Sequence, residues 1–262
     1  MSTLLLSSLG LALGYVILVW LLSVLLGRVC IIDAFWGPGF VLLATLSHLL
    51  TSDGNWNRSE SLLLVMVAIW GIRLGMHLSI RIFSDPKEDR RYLAMREKYE
   101  PNWWLKSLAI VFLLQGLIMW FVALPVTTAY AGDERSVIAW LGPVGLFFWG
   151  LGVFFETVGD WQLARFRANP RNKGRVLSSG LWGLTRHPNY FGDFAVWWGL
   201  WLFSFASGAP LWTIVSPAVM SLFLMKVSGV TLLEKDIVER RPGYVDYIRS
   251  TNAFFPGPKR TA

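Results

Sequence analysis

Cysteine is almost missing: Cys30 is the only one in 262 residues. That excludes an internal disulfide and a cysteine metal cluster. Histidine is scarce too, and His48, His77 and His187 have no metal-ligand spacing, so no metal is expected. No Gly-x-Gly-x-x-Gly follows a strand pattern, and there is neither a P-loop nor a Gly-x-Ser-x-Gly. A Rossmann or zinc enzyme is therefore not expected. Charged residues make up only 16% of the chain. Repeats, low-complexity stretches and dividing linkers are absent as well, which argues for one domain over residues 1–262.

What the chain does have is apolar surface. Hydrophobic residues reach 54%, with 15 Trp, and mean hydropathy is +0.48. A soluble domain of this size has no means of burying so much. Apolar runs of about 20 residues, the length of a membrane span, recur at 4–26, 29–50, 61–82, 107–129, 137–158, 190–206 and 210–229. The expected fold is all-α: an integral membrane bundle of seven transmembrane helices with cytosolic loops and a C-terminal amphipathic tail. The first run has no basic n-region and no small-residue cleavage site, so it reads as a retained helix with the mature chain beginning near Met1.

The 24 Lys and Arg outnumber 17 Asp and Glu, and their distribution carries more meaning than the excess. Segment 83–106 holds Lys87, Arg90, Arg91, Arg96, Lys98 and Lys106. Segment 159–188 holds Arg165, Arg167, Arg171, Lys173, Arg175 and Arg186. The tail adds Lys235, Arg240, Arg241, Arg249, Lys259 and Arg260, and Arg28 lies in the first connection. With seven spans all of these fall on one side. The opposite loops hold Arg58 and Arg135 beside Asp53, Glu60, Asp133 and Glu134. The positive-inside rule then places the N-terminus outside and the C-terminus in the cytosol. Nucleic acid is not an expected partner. The glycine pairs Gly10/Gly14 and Gly71/Gly75 have the spacing of close helix packing.

Ionisable groups inside spans mark sites or pathways, because lipid makes them costly. Asp33 opens the run Asp33-Ala34-Phe35-Trp36-Gly37-Pro38-Gly39, where it is either a helix cap or ion-paired carboxylate, or a catalytic or ligand-binding group. Trp70, Arg73, His77 and Arg81 share one face of the third span. Arg81 can snorkel to the interface, whereas Arg73 lies deeper. Glu156, Asp160 and Arg167 share a face that runs from the fifth span into the basic loop. After Arg175 comes Gly180-Leu181-Trp182-Gly183-Leu184-Thr185-Arg186-His187-Pro188-Asn189-Tyr190-Phe191-Gly192-Asp193. Pro188 suits the first turn of a helix, Asn189 and Asp193 share a face, and guanidinium groups beside a helix N-terminus suit phosphate. Lys226 leads to Glu234 and to the tail with Tyr244 and Tyr247, which reads as an interfacial amphipathic helix or as a lid over a nucleotide.

The Gly180 to Asp193 block, Glu234, Pro242-Gly243-Tyr244-x-x-Tyr247-x-Arg249 and Phe254-Phe255-Pro256 together resemble the steroid 5α-reductase superfamily. Asp33-x-x-Trp36-Gly37 and Glu88-Asp89-Arg90-Arg91-Tyr92 resemble its bacterial branch, the 3-oxo-5α-steroid 4-dehydrogenase-like group. The resemblance implies a monomer in the bacterial inner membrane, with substrate-side helices over 1–129 and cofactor-binding helices, loops and tail over 130–262. It implies NADPH as cofactor, held by Glu156, Asp160, Arg167, Arg175, Arg186, His187, Asn189, Asp193, Lys226, Glu234 and Tyr247. The implied substrate is a steroid-like enone arriving from membrane lipid, against Trp36, Trp70 and His77. Asp33, as a protonated donor, or Arg73 would stabilise the carbonyl oxygen. Asp33 stands where animal enzymes carry a Gln-Glu pair, and Trp70 stands where they carry Tyr. Isoprenylcysteine and phospholipid methyltransferases share the block in outline, so S-adenosylmethionine-dependent methyl transfer is the alternative, and a transporter or scaffold is the third reading.

Overall fold

The computed structural model describes residues 1–51, 57–85, 87–132, 138–227, 234, 237–238, 241 and 243–260. Asp53, Asp133, Glu134, Arg135, Lys235, Arg240 and Pro242, which entered the charge and tail readings, lie outside the described residues. No strand occurs among the described residues. The helices are α1 (Ser2–Leu26), α2 (Ile31–Thr51), α3 (Arg58–Ser84), α4 (Arg90–Tyr99), α5 (Trp103–Ala129), α6 (Leu141–Ala168), α7 (Pro188–Ala206), α8 (Leu211–Lys226) and α9 (Tyr244–Ser250).

Five of them, α1, α2, α3, α5 and α6, are long and apolar enough to cross a membrane. The chain is an integral membrane protein, and among the described residues five helices, not the expected seven, meet that measure. The last two expected spans differ for identifiable reasons. The first two turns of α7 carry Asn189, Tyr190 and Asp193, so its apolar run is short. Helix α8 begins as a 3₁₀ turn at Leu211–Ile214, becomes α-helical over Val215–Leu222 and ends as a π turn at Phe223–Val227.

The chain divides into two compact units, residues 1–139 with 204–216 and residues 140–203 with 217–262. In the first, α1, α2, α3 and α5 pack on one another. Helix α1 stops at Gly27, whose φ of 66° is a left-handed cap closed by hydrogen bonds to Ser23 and Val24 carbonyls. Helices α2 and α3 meet backbone to backbone at Gly37 and Gly71: a Cβ on Gly37 would lie 2.2 Å from the Gly71 carbonyl oxygen. Trp70 packs beside this contact, fully buried and edge-on to Phe40, which in turn meets Trp36.

In the second unit, α6 and α7 approach as closely. Gly145, Gly152 and Gly159 recur at seven-residue spacing and therefore share one face of α6. A Cβ on Gly152 would lie 2.5 Å from the Gly192 carbonyl oxygen, and one on Gly145 would lie 2.7 Å from that of Gly199. The Gly159 position meets the Pro188 ring. This contact fixes the first turn of α7 against the Glu156–Asp160 turn of α6.

Candidate functional site

Two polar clusters stand out, one in each unit. The first surrounds Asp33, in the first turn of α2. Its carboxyl accepts hydrogen bonds from the Arg91 guanidinium at 2.7 Å and from the Tyr92 hydroxyl at 2.7 Å. Arg91 also pairs with Asp89, which caps α4 by accepting from the Arg91 backbone N–H. One residue earlier, the Glu88 carboxylate accepts from the backbone N–H groups of Val29 and Cys30 at 2.8 and 3.0 Å. The Glu88-Asp89-Arg90-Arg91-Tyr92 run thus clamps the start of α2 through the Glu88 carboxylate, with Arg91 and Tyr92 reaching Asp33.

In this arrangement both Asp33 oxygens accept hydrogen bonds, one from the guanidinium and one from the phenol. Burial and the neighbouring Asp33 charge push the Tyr92 phenol far above its usual range. Tyr92 therefore keeps its proton and is the donor of the pair. Despite burial, the ion pairs with Arg91 and Arg81 hold Asp89 below the ordinary carboxylate range. Arg73 and His77 are half-buried on α3, and Arg81 is exposed and 3.4 Å from Asp89. Trp70 is a core residue and Trp36 a half-buried neighbour of that core.

The second cluster closes the loop before α7 onto the C-terminal tail. Arg186 is buried, and its guanidinium grips Glu234 with two bonds of 2.7 and 3.0 Å. Its remaining nitrogen donates to the carbonyls of Ile248 and Thr251. His187 donates to the same Glu234 oxygen at 3.0 Å and stacks on Tyr190. Tyr247 donates to the carbonyl of Trp182, and Thr185 donates to that of Phe254. Burial alone would raise the Glu234 carboxyl, but hydrogen bonds from His187 and Arg186 hold it down to about 2. Burial raises the phenols of Tyr244 and Tyr247.

The expected cofactor residues therefore divide in two. Arg186, His187, Glu234 and Tyr247 are bonded to one another and to backbone, and they hold the tail in place. Glu156 and Asp160 are buried on the α6 face that meets α7, and Asp160 lies 3.4 Å from the amide nitrogen of Asn189. Asp193 is half-buried one turn further along α7. Arg167 and Arg175 are exposed, and Lys226 is exposed in the π turn ending α8. Among the described residues, no three His, Cys, Asp or Glu side chains converge as metal ligands.

The sequence does not reveal the direct partners of Asp33: Arg91 and Tyr92 lie 58 and 59 residues away. The available signal was the acidic-basic run from Glu88 to Tyr92, which has no apolar periodicity to explain it.

Among known families, the one described as a protein of unknown function, DUF1295, matches residues 19–251. An uncharacterized protein of Schizosaccharomyces pombe is 26% identical over 94% of this chain and 78% of its own length. A probable O-methyltransferase of Ustilaginoidea virens is 32% identical over 32% of this chain and 29% of its own. A Delta(14)-sterol reductase of Schizosaccharomyces pombe is 34% identical over 23% of this chain and 17% of its own. The chain thus spans less than a third of the length of each of the two enzymes. No solved structure matches.

Proposed function

Because the chain belongs to the DUF1295 family, with relatives that fit the steroid 5α-reductase-like superfamily, we propose that it is a membrane-embedded, NADPH-dependent reductase. Its substrate would be the C=C bond of a lipophilic enone, with 3-oxo-Δ4 steroids as the substrate class. The observation that carries this reading is the Asp160–Asn189 pair at the start of α7, on the same α6 face as Arg167.

The donor set suits the dinucleotide. A side-chain amide held by a carboxylate matches a nicotinamide carboxamide, which needs one donor and one acceptor. Exposed guanidinium groups at Arg167 and Arg175 match phosphates, for which Arg is the better fork. NADPH, when bound, would supply a hydride to the β-carbon of the enone. Asp160 would keep the Asn189 amide oriented, while Arg186 and Glu234 would keep the tail closed and exclude water. The α-carbon would then take a proton, which completes the reduction.

One observation favours a second reading, methyl transfer from S-adenosylmethionine. Arg186 donates four hydrogen bonds to protein acceptors, so the block has fewer cations for phosphate than its composition implies, and a methyl donor without phosphate needs none.

The deciding experiment follows NADPH oxidation by the detergent-purified protein with a 3-oxo-Δ4 steroid, using a deuteride-labelled cofactor. Deuterium at the β-carbon is the expected result. Methylated product with S-adenosylmethionine and no NADPH oxidation would overturn the reductase reading.

A further inference from the structure

The face of α6 opposite the Glu156–Asp160–Arg167 row carries a second pattern. Trp140, the N-cap residue just before the helix, and Phe147, Phe154 and Trp161 within it stand seven residues apart, and all are exposed, by 64, 66, 51 and 56%. Seven-residue spacing keeps them in one line. The two Trp residues are three heptads apart, about 31 Å at the helical rise, which matches the roughly 30 Å hydrocarbon core of a bilayer. Trp favours the lipid–water interface, and Phe is at home between the interfaces. The line therefore sets the depth of α6: Trp161 lies at headgroup level on the basic side, and Arg165 lies one turn beyond it.

A cleft of about 490 Å³ opens at that level. Trp161, Gln162, Arg165, Asn169, Asn172 and Ser179 line it, and among the described residues the lining includes no carboxylate. The Gln162 carbonyl oxygen accepts from the Leu181 N–H, and that of Asn169 accepts from the Arg171 N–H. Their N–H₂ groups are then what these side chains present to a ligand. The Arg165 guanidinium lies over the Trp161 ring at 5.4 Å, so the aromatic face already holds a cation and does not attract a choline.

We propose that this cleft binds the headgroup of an anionic phospholipid, with the phosphate on Arg165 and the Gln162 and Asn169 amides. The cleft lining shares no residue with the proposed cofactor set, and Glu156, Asp160 and Arg167 lie on the other face of α6. It lets lipid composition act on the loop at 169–180, which leads into the Arg186–Glu234 closure.

Native mass spectrometry of the detergent-purified full chain tests this, with phosphatidylglycerol, phosphatidylcholine, inorganic phosphate and NADPH as separate probes. Phosphatidylglycerol is expected to bind saturably and about fivefold more tightly than phosphatidylcholine, the worth of one interfacial Arg. Arg165→Ala should erase the difference and Arg165→Lys retain part of it. Lys98→Ala, which changes a cation outside the cleft, should leave it intact. Equal binding of the two lipids, or an unchanged preference in Arg165→Ala, would overturn the proposal. So would displacement of phosphatidylglycerol by inorganic phosphate at equal concentration. Loss of NADPH binding in Arg165→Ala with lipid preference intact would instead make the cleft part of a nucleotide site, and the proposal would fall.

Discussion

At the level of single residues, Glu234 bears the most. Its oxygens accept from Arg186 and His187, and its depressed pKa of about 2, against an ordinary 4.5, is a statement about stability. A lowered carboxylate stabilises the fold above its unfolded value, and that contribution disappears as pH falls from 4.5 to about 2. The full shift corresponds to roughly 3 kcal/mol. Thermal unfolding in detergent should therefore show wild-type stability falling over that window, and Glu234→Gln should be less stable at neutral pH with a flatter acid limb. A variant with the wild-type acid profile would contradict the assignment. In the first unit, Tyr92→Phe removes the donor and Asp33→Asn its anchor. Each should lower thermal stability in detergent by about 1.5–3 kcal/mol, the usual worth of a hydrogen bond to a charged group.

The elements show why close helix contacts decide this fold. Gly152→Ala would place a Cβ 2.5 Å from the Gly192 carbonyl oxygen, and such overpacking costs about 1–3 kcal/mol. Gly150 lies two residues away with open space around its Cβ position, so Gly150→Ala should leave stability equal or improve it by up to about 1 kcal/mol. A comparison of unfolding temperatures checks both. Helices α1, α2, α3, α5 and α6 were legible because each needs a long apolar run, and the sequence shows such runs directly. The 3₁₀ and π ends of α8 were not, since hydrogen-bond slippage leaves the apolar pattern almost unchanged. The Gly145/Gly152/Gly159 repeat is visible in the sequence, but its partner helix emerges only from packing. The residues of the candidate site were also legible, yet their division was not. Arg186 and Glu234 are 48 residues apart, and no local spacing reveals that each satisfies the other.

On the scale of the whole chain, the charge bias and the helix lengths make a joint statement about topology. Helix α7 has 19 residues, about 28 Å of helix, enough to cross when its polar first turns sit at the interface. A reporter fused in the Ser207-Gly208-Ala209-Pro210 turn is then expected on the face opposite one fused at the C-terminus. The same side for both would mean that α7 and α8 form a hairpin that does not cross.

The central claim is that the Asp160–Asn189 pair and the adjacent guanidinium groups hold NADPH. Calorimetric titration of the purified protein with NADPH, and separately with S-adenosylmethionine, tests it most directly. NADPH should bind with one site per chain, Arg167→Ala and Arg175→Ala should each weaken it, and Asn189→Ala should abolish turnover. Binding of S-adenosylmethionine with no heat from NADPH would contradict the account.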